Sequence, residues 1–261
     1  AGLQHPGSNR YCNVWPYDRN RVCLPAAPSL DSDYINASRI TASIQHTMAP
    51  NYVVCQGPMP TTFAAFWWMC WSEHANVVVM LTQQLEHGRL KCHVYWPAKV
   101  DERVVYGDIA VRLLEQCPLP SNLEGVERIF ELTHLASGEK RRLHQLQYTG
   151  WPDCGVPEDP RTIVWLRELV QSRRNQGADV ASGPVVVHCS AGCGRSGTFC
   201  VLDTLLADIE HQRTQTTGTP ASDARPSDDD TIRRLVALFR MQRIGMVQTF
   251  SQFILCYEAL L

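Results

Sequence analysis

Val185-Val186-Val187-His188-Cys189-Ser190-Ala191-Gly192-Cys193-Gly194-Arg195-Ser196-Gly197 is the stretch that decides the fold. Pro184 and three β-branched valines make a short apolar run of the kind buried on both faces of a sheet, and from Thr198 the residues Phe199, Leu202, Leu206 and Ile209 recur at helical spacing. The segment from Cys189 to Arg195 therefore joins a strand to a helix. Only small residues and one further cysteine lie between them, so the backbone can curl tightly and turn the amides of Ser190, Ala191, Gly192, Cys193 and Gly194 inward, near the positive end of the helix. Such a loop is an anion cradle. An arginine at its end can grip two oxygens of a tetrahedral oxyanion with its planar fork, and a cysteine at its start sits where the same field favours the thiolate. The pattern is a nucleophile built into a phosphate site.

A nucleotide-binding phosphate loop is also a glycine-rich strand-to-helix turn, but it needs a lysine before its Ser/Thr, and Arg195 stands there instead. With His188, Ala191, Gly192, Gly194 and Gly197 all in place, an incidental cysteine at a strand–turn–helix junction is the lesser alternative. The remaining composition narrows the classes further. At 261 residues and 44% hydrophobic, the chain can bury a substantial core, and no long polar linker divides its middle. A net charge of -2 gives no reason to expect nucleic acid or an anionic membrane as partner. Apolar runs fall short of the ~18 residues that span a bilayer, so no membrane insertion is expected. The N-terminus lacks the basic-then-apolar pattern of a signal peptide. Eleven cysteines, scattered and without a C-x2-C pair, argue against a disulfide framework and against a zinc site, which favours a reducing compartment, the cytoplasm or nucleus.

His188-Cys189-Ser190-Ala191-Gly192-x-Gly194-Arg195-Ser196-Gly197 resembles the signature of the classical, non-receptor-type protein tyrosine phosphatases, and the resemblance covers nearly the whole chain. It implies an α/β cysteine-phosphatase fold with some α+β character, in which a highly twisted mixed central β-sheet is flanked by helices on both sides. A single catalytic domain over residues 1–261 is expected, monomeric, acting on phosphotyrosine-containing proteins and needing no metal or cofactor. Residues 1–8 are expected to be disordered or truncated, and residues 212–227, rich in Thr, Gly, Pro, Ser and Asp, to form a flexible insertion between helices.

Along the chain, Asp33–Ser38, Tyr52–Pro58, Val77–Leu81 and Val105–Leu113 read as strands, and Ser137-Gly138 as the turn of a hairpin between Arg128–Leu135 and Arg141–Tyr148. Thr62 is a candidate cap for a helix with the core-facing stripe Phe63, Phe66, Trp67 and Cys70. Asp159 with Pro160, the aspartates 228–230, and a Thr249…Gln252 capping box mark three further helix starts.

Other functional residues follow from the resemblance. A tyrosine in the Tyr11 position walls a deep slot that admits a phenyl phosphate and keeps phosphoserine out of reach. Two residues on, Asn13 stands where many members carry an aspartate that holds the substrate backbone; an amide accepts the same hydrogen bond but supplies no charge. Glu86 is placed to pair with Arg195, and Lys91 to reach the mobile acid loop. Trp151-Pro152-Asp153 matches that loop, flanked by glycines and prolines on which it can hinge. Cys154, smaller than the ring common at its position, would make a looser lid. Gln248 would orient water, while Gln252 combines a helix-capping role with a place beside substrate.

The implied chemistry has two steps. Cys189 attacks phosphorus as a thiolate, with His188 ordering the loop behind it, and Asp153 protonates the departing phenol. Ser196 donates to the sulfur when it leaves, and Asp153 then acts as base on the water that releases phosphate. Cys92, next to Lys91, is a candidate redox partner for Cys189, ahead of Cys193, whose bridge would distort the cradle.

Overall fold

A computed structural model describes residues 1–41, 43–44, 47–48, 51–176, 183–215 and 230–260. Nine strands build a mixed sheet: β1 (Arg21–Cys23), β2 (Tyr34–Ile40), β5 (Tyr52–Cys55), β6 (Val77–Met80), β9 (Arg103–Tyr106), β10 (Ile109–Pro118), β11 (Gly125–His134), β12 (Lys140–Tyr148) and β13 (Val185–His188). The two-stranded pairs β3 (Ser43–Ile44) with β4 (Thr47–Met48) and β7 (Leu85–Glu86) with β8 (Arg89–Leu90) lie apart from it. In the order β1-β2-β5-β13-β6-β12-β11-β10-β9, the strand that carries the cysteine loop runs parallel to both of its neighbours, β5 and β6. Parallel neighbours on both sides explain its unbroken apolar sequence, because such a strand is covered on both faces.

Alternation along β13 divides the core. Val185 and Val187 point into a cluster shared with α2 (Arg161–Arg174), α3 (Gly194–Gln215), α4 (Thr231–Gln242) and α5 (Phe250–Glu258). Val186 points the other way, into a cluster with Phe66, Trp67 and Cys70 of α1 (Phe63–Ser72). Helices thus flank both faces of the sheet, and the loop emerges from a strand buried along its whole length.

Several local expectations are corrected. Residues 1–8 are ordered: two 3-10 turns, Gly2–Gln4 and Pro6–Ser8, settle on the fold with the His5 ring stacked on Tyr34 at 4.6 Å. Thr62 takes the N-cap position of α1 but makes no side-chain capping bond, because its hydroxyl turns back to Met59, accepting from the amide at 3.0 Å and donating to the carbonyl at 3.1 Å. The Val105–Leu113 alternation is two strands, since Gly107, at φ +62, turns the chain between the paired residues Tyr106 and Ile109. At the proposed insertion, α3 continues through Gln215, and residues 216–229 lie outside the described residues. The caps at Asp230 and Thr249 form as expected, accepting from the amides of Arg233 and Gln252.

One buried side chain, unremarked in the sequence, ties the sheet to the loop. Arg243, fully buried after α4, donates to Asn36 Oδ1 at 2.9 Å and Ser38 Oγ at 3.1 Å on β2, and to the carbonyls of Ala191 at 3.0 Å and Gly192 at 2.7 Å. Removing it strands several buried acceptors, each of which is costly to leave unpaired. Arg243→Leu is therefore expected to lower unfolding stability by about 3 kcal/mol in urea titration. A loss within experimental error would show that water or neighbouring donors replace the guanidinium.

Candidate active site

The cysteine loop faces its backbone dipoles one way. His188 Nδ1 donates to the Cys189 carbonyl at 3.1 Å, the Gly57 amide to the Ser190 carbonyl at 2.9 Å, and Arg243 to the carbonyls of Ala191 and Gly192. Four consecutive carbonyls are thus engaged behind the loop, which leaves the amides for whatever occupies its mouth. Gly192 makes this curl possible at φ +71, where an added Cβ would also lie 2.1 Å from the Cys55 carbonyl oxygen.

His188 is held in one tautomer. Burial pushes its pKa down to about 4, so the ring is neutral, and with Nδ1 donating, Nε2 accepts from the Tyr95 hydroxyl at 2.7 Å. That hydroxyl in turn accepts from Gln145 Nε2 at 2.7 Å. Burial alone would raise the Cys189 thiol, but the Arg195 guanidinium, the Ser196 hydroxyl and the amides of Ser196 and Cys193 outweigh it and hold the thiol below the ordinary cysteine value. The buried Ser196 hydroxyl has no nitrogen or oxygen partner among the described residues.

Arg195 is 2% exposed and aimed by three acceptors. Its Nη1 donates to Glu86 Oε1 at 2.7 Å and to the Trp151 carbonyl at 2.9 Å, and its Nη2 to Asp153 Oδ1 at 3.2 Å. Glu86 is itself fixed by the Thr82 hydroxyl at 2.7 Å and the Gln83 amide at 3.1 Å. Lys91 forms an ion pair with the other Asp153 oxygen. Burial favours the protonated Asp153 carboxyl, yet Lys91 and Arg195 together hold it below the usual carboxylate range. The acid loop is therefore folded over the site, with its carboxylate occupying part of the arginine fork.

A cleft of about 250 Å³ brings these groups together. Cys189, Ser190, Ala191, Gly194 and Arg195 of the cysteine loop line it together with Tyr11, Asn13 and Lys91 and with Asp153, Cys154, Gln248 and Gln252. The Tyr11 hydroxyl meets Ser190 Oγ at 2.8 Å, and Ser190 Oγ donates to the Lys91 carbonyl at 2.8 Å. Gln252 Oε1 accepts from the Gln248 amide at 3.0 Å while its Nε2 donates to the Gly155 carbonyl at 3.3 Å, so the capping residue also ties the Gln248 segment to the Asp153 loop. Gly192, Cys193, Ser196, His188, Glu86 and Trp151 stand behind this lining. Cys193 and Cys92 are buried, and burial raises their thiols to about 11 and about 12. Cys92 lies on the far side of Gly57: a Cβ built there would be 3.0 Å from Cys92 Sγ and 2.9 Å from the Cys189 carbonyl oxygen.

Sequence reasoning missed the outer supports. Besides Arg243, Tyr95 and Gln145, Arg10 pins the Tyr11 segment by donating to the carbonyls of Gly57 at 2.9 Å and Pro58 at 2.8 Å. Arg240 donates to the carbonyls of Met246 at 2.9 Å and Val247 at 2.6 Å, steadying Val247 at φ +56, an unusual conformation for a β-branched residue just before Gln248. Gly197 was the available signal, since a Cβ there would meet the Val247 nitrogen at 2.5 Å. Among the described residues no cluster of three or more His, Cys, Asp or Glu side chains could hold a metal ion, and no helix is long and apolar enough to cross a membrane.

Comparison with known proteins gives the family. A profile of the family described as protein-tyrosine phosphatase matches residues 5–261, and the chain belongs to that family. It is 37% identical over 262 residues to receptor-type tyrosine-protein phosphatase V of Rattus norvegicus, covering 99% of this chain and 14% of that protein. It is 36% identical over 254 residues to tyrosine-protein phosphatase 1 of Caenorhabditis elegans, covering 97% of this chain and 22% of the relative. Tyrosine-protein phosphatase Lar of Drosophila melanogaster is 38% identical over 263 residues, covering 100% of this chain and 12% of that protein. The chain thus spans under a quarter of each of these relatives. Receptor-type and other members both appear among them, so the expected non-receptor type is left as one alternative.

The field at Cys189 has a direct test. With iodoacetamide, Cys189 is expected to alkylate at pH 6 faster than any other cysteine, while buried Cys92 and Cys193 stay unmodified. Because Arg195 lowers the Cys189 pKa, Arg195→Met should move the midpoint of the rate–pH curve upward by at least about one unit. An unmoved midpoint, followed by peptide mass spectrometry, would show that the loop amides alone set the thiolate.

Proposed function

We propose that the chain hydrolyses phosphotyrosine in proteins through a cysteinyl-phosphate intermediate, with Asp153 as general acid and then base. The observation that carries this is the convergence, in one cleft, of a thiol held below its ordinary pKa, an arginine fork fixed by Glu86, and a carboxylate on a glycine- and proline-flanked loop. The phosphate dianion takes the arginine fork and the loop amides. Asp153, released from Arg195 and now beside added negative charge, gains affinity for a proton and delivers it to the leaving phenolate. Ser196 donates to the sulfur as it leaves, and Gln248 orients the water of the second step.

Tyr11 gives the slot its depth, and Asn13 meets the substrate backbone without the charge of an aspartate. These favour phosphotyrosine over shorter phosphoesters and separate this reading from a dual-specificity phosphatase; the intact set Cys189, Arg195 and Asp153 separates it from a binding domain with little turnover. The remaining proposals are a single monomeric domain acting in the cytoplasm or nucleus, with phosphotyrosine proteins as partners.

Kinetics on purified protein decide the mechanism. Cys189→Ser is expected to abolish turnover of aryl phosphates, whereas Asp153→Ala should lower kcat by about 10²–10⁴-fold with KM little changed. A Cys189→Ser protein with near parental kcat would remove the covalent step.

Cys92 is proposed as the redox partner. Peroxide oxidises the Cys189 thiolate to a sulfenic acid, and the Cys92 thiol condenses with it, forming a disulfide and releasing water. Its place one glycine away supports this, while its raised pKa makes capture depend on local opening. Non-reducing peptide mapping after mild peroxide should recover a linked Cys189–Cys92 peptide; equal recovery of activity in Cys92→Ser and parent would end the role.

A further inference from the structure

Beside the catalytic cleft, α4 and the first turn of α5 enclose a larger groove, about 820 Å³ against about 250 Å³. Val236, Ala237 and Phe253 give it apolar walls, Arg233 and Arg240 flank it, and Gln248 lines both groove and cleft. Phe250 lines the groove and not the cleft, at 78% exposure, the highest of any large hydrophobic residue among those described. The helix does not need it there. Thr249 supplies the cap and Gln252 completes the capping box, while Leu255 and Cys256 bury the inner face. An aromatic ring held in water on the wall of a groove is a mark of a contact surface.

The charge at the groove is positive. Arg233 and Arg240 are opposed by Asp230, whose carboxylate is already engaged by the Tyr257 hydroxyl and the Arg233 amide. Arg240 holds the carbonyls of Met246 and Val247, which leaves Arg233, exposed on α4, as the cation positioned to meet a ligand.

We propose that this groove receives the polypeptide segment adjoining phosphotyrosine in the substrate, and that it selects an acidic residue next to an apolar one. The apolar side chain packs on Phe250 and Phe253, and the carboxylate pairs with Arg233. Continuity is what commits the occupant: a chain whose phosphotyrosine reaches Cys189 must leave over the rim, and Gln248 is rim to both concavities. This inference rests on the phosphatase reading and makes Phe250 and Arg233 specificity residues, apart from the catalytic set.

The test compares a small aryl phosphate, para-nitrophenyl phosphate, with two phosphotyrosine peptides, one carrying Glu and Leu on both sides of the phosphotyrosine and one with Ser and Gly in those places. Phe250→Ala and Arg233→Glu should each raise KM for the Glu/Leu peptide by about tenfold, with kcat unchanged, as expected for loss of an aromatic anchor or a charge pair. Turnover of para-nitrophenyl phosphate should stay within about twofold, since neither residue lines the cleft. Arg233→Glu should also improve a Lys-flanked peptide. The proposal is overturned if both variants keep the parental KM for the Glu/Leu peptide, or if they lose activity on peptide and aryl phosphate in parallel. Should the parent turn over none of the three substrates, it is the phosphatase reading that fails. Fluorescence anisotropy with the same peptides then judges the groove, and equal affinity of parent and Phe250→Ala would overturn it.

Discussion

Four consecutive peptide carbonyls, from Cys189 to Gly192, turn away from the mouth of the cysteine loop, and the rest of the site depends on their staying there. Each has a donor: His188, the Gly57 amide, and Arg243 twice. Were any of these oxygens to rotate inward, a partial negative charge would replace an amide beside the thiolate, and the loop would repel the anion it is shaped to hold. The donors come from separate parts of the chain, so the cradle forms only when β2, β5, β13 and the segment after α4 have assembled. The low thiol pKa of Cys189 is in this sense a property of the fold.

Arg195 shows how the same fold prepares for a ligand. Glu86 and the Trp151 carbonyl hold one end of its fork, so no rotamer search is needed when phosphate arrives. The other end rests on Asp153, which Lys91 also holds. In the proposed cycle that contact is a placeholder: phosphate displaces it, and the displaced carboxylate becomes the proton donor. In that proposed cycle the pair would couple substrate arrival to the protonation of Asp153.

The pair Cys189 and Arg195 was legible because both lie on one short loop, where strand, small residues and helix are adjacent in sequence. Glu86, Lys91 and Asp153 have no such pattern of their own and were reached only through likeness to a family. Arg243, Arg10, Tyr95 and Gln145 escaped altogether. Their partners are mostly backbone carbonyls or one another, and a carbonyl has no sequence identity to signal what will bind it. Local errors have local causes. At Thr62 a 3-10 turn precedes the helix and draws the hydroxyl backward, and at Gly107 a two-residue turn sits inside an alternation that looks continuous.

The central claim is that phosphate passes through Cys189. Rapid acid quench of a Gln248→Ala protein mixed with a phosphotyrosine peptide, followed by peptide mass spectrometry, tests it most directly, because slowing the second step should let the intermediate accumulate. The expected result is a gain of one phosphoryl group on the peptide containing Cys189, rising in the first turnover. Turnover with no phosphoryl group on that peptide, or with the group on another residue, would contradict it.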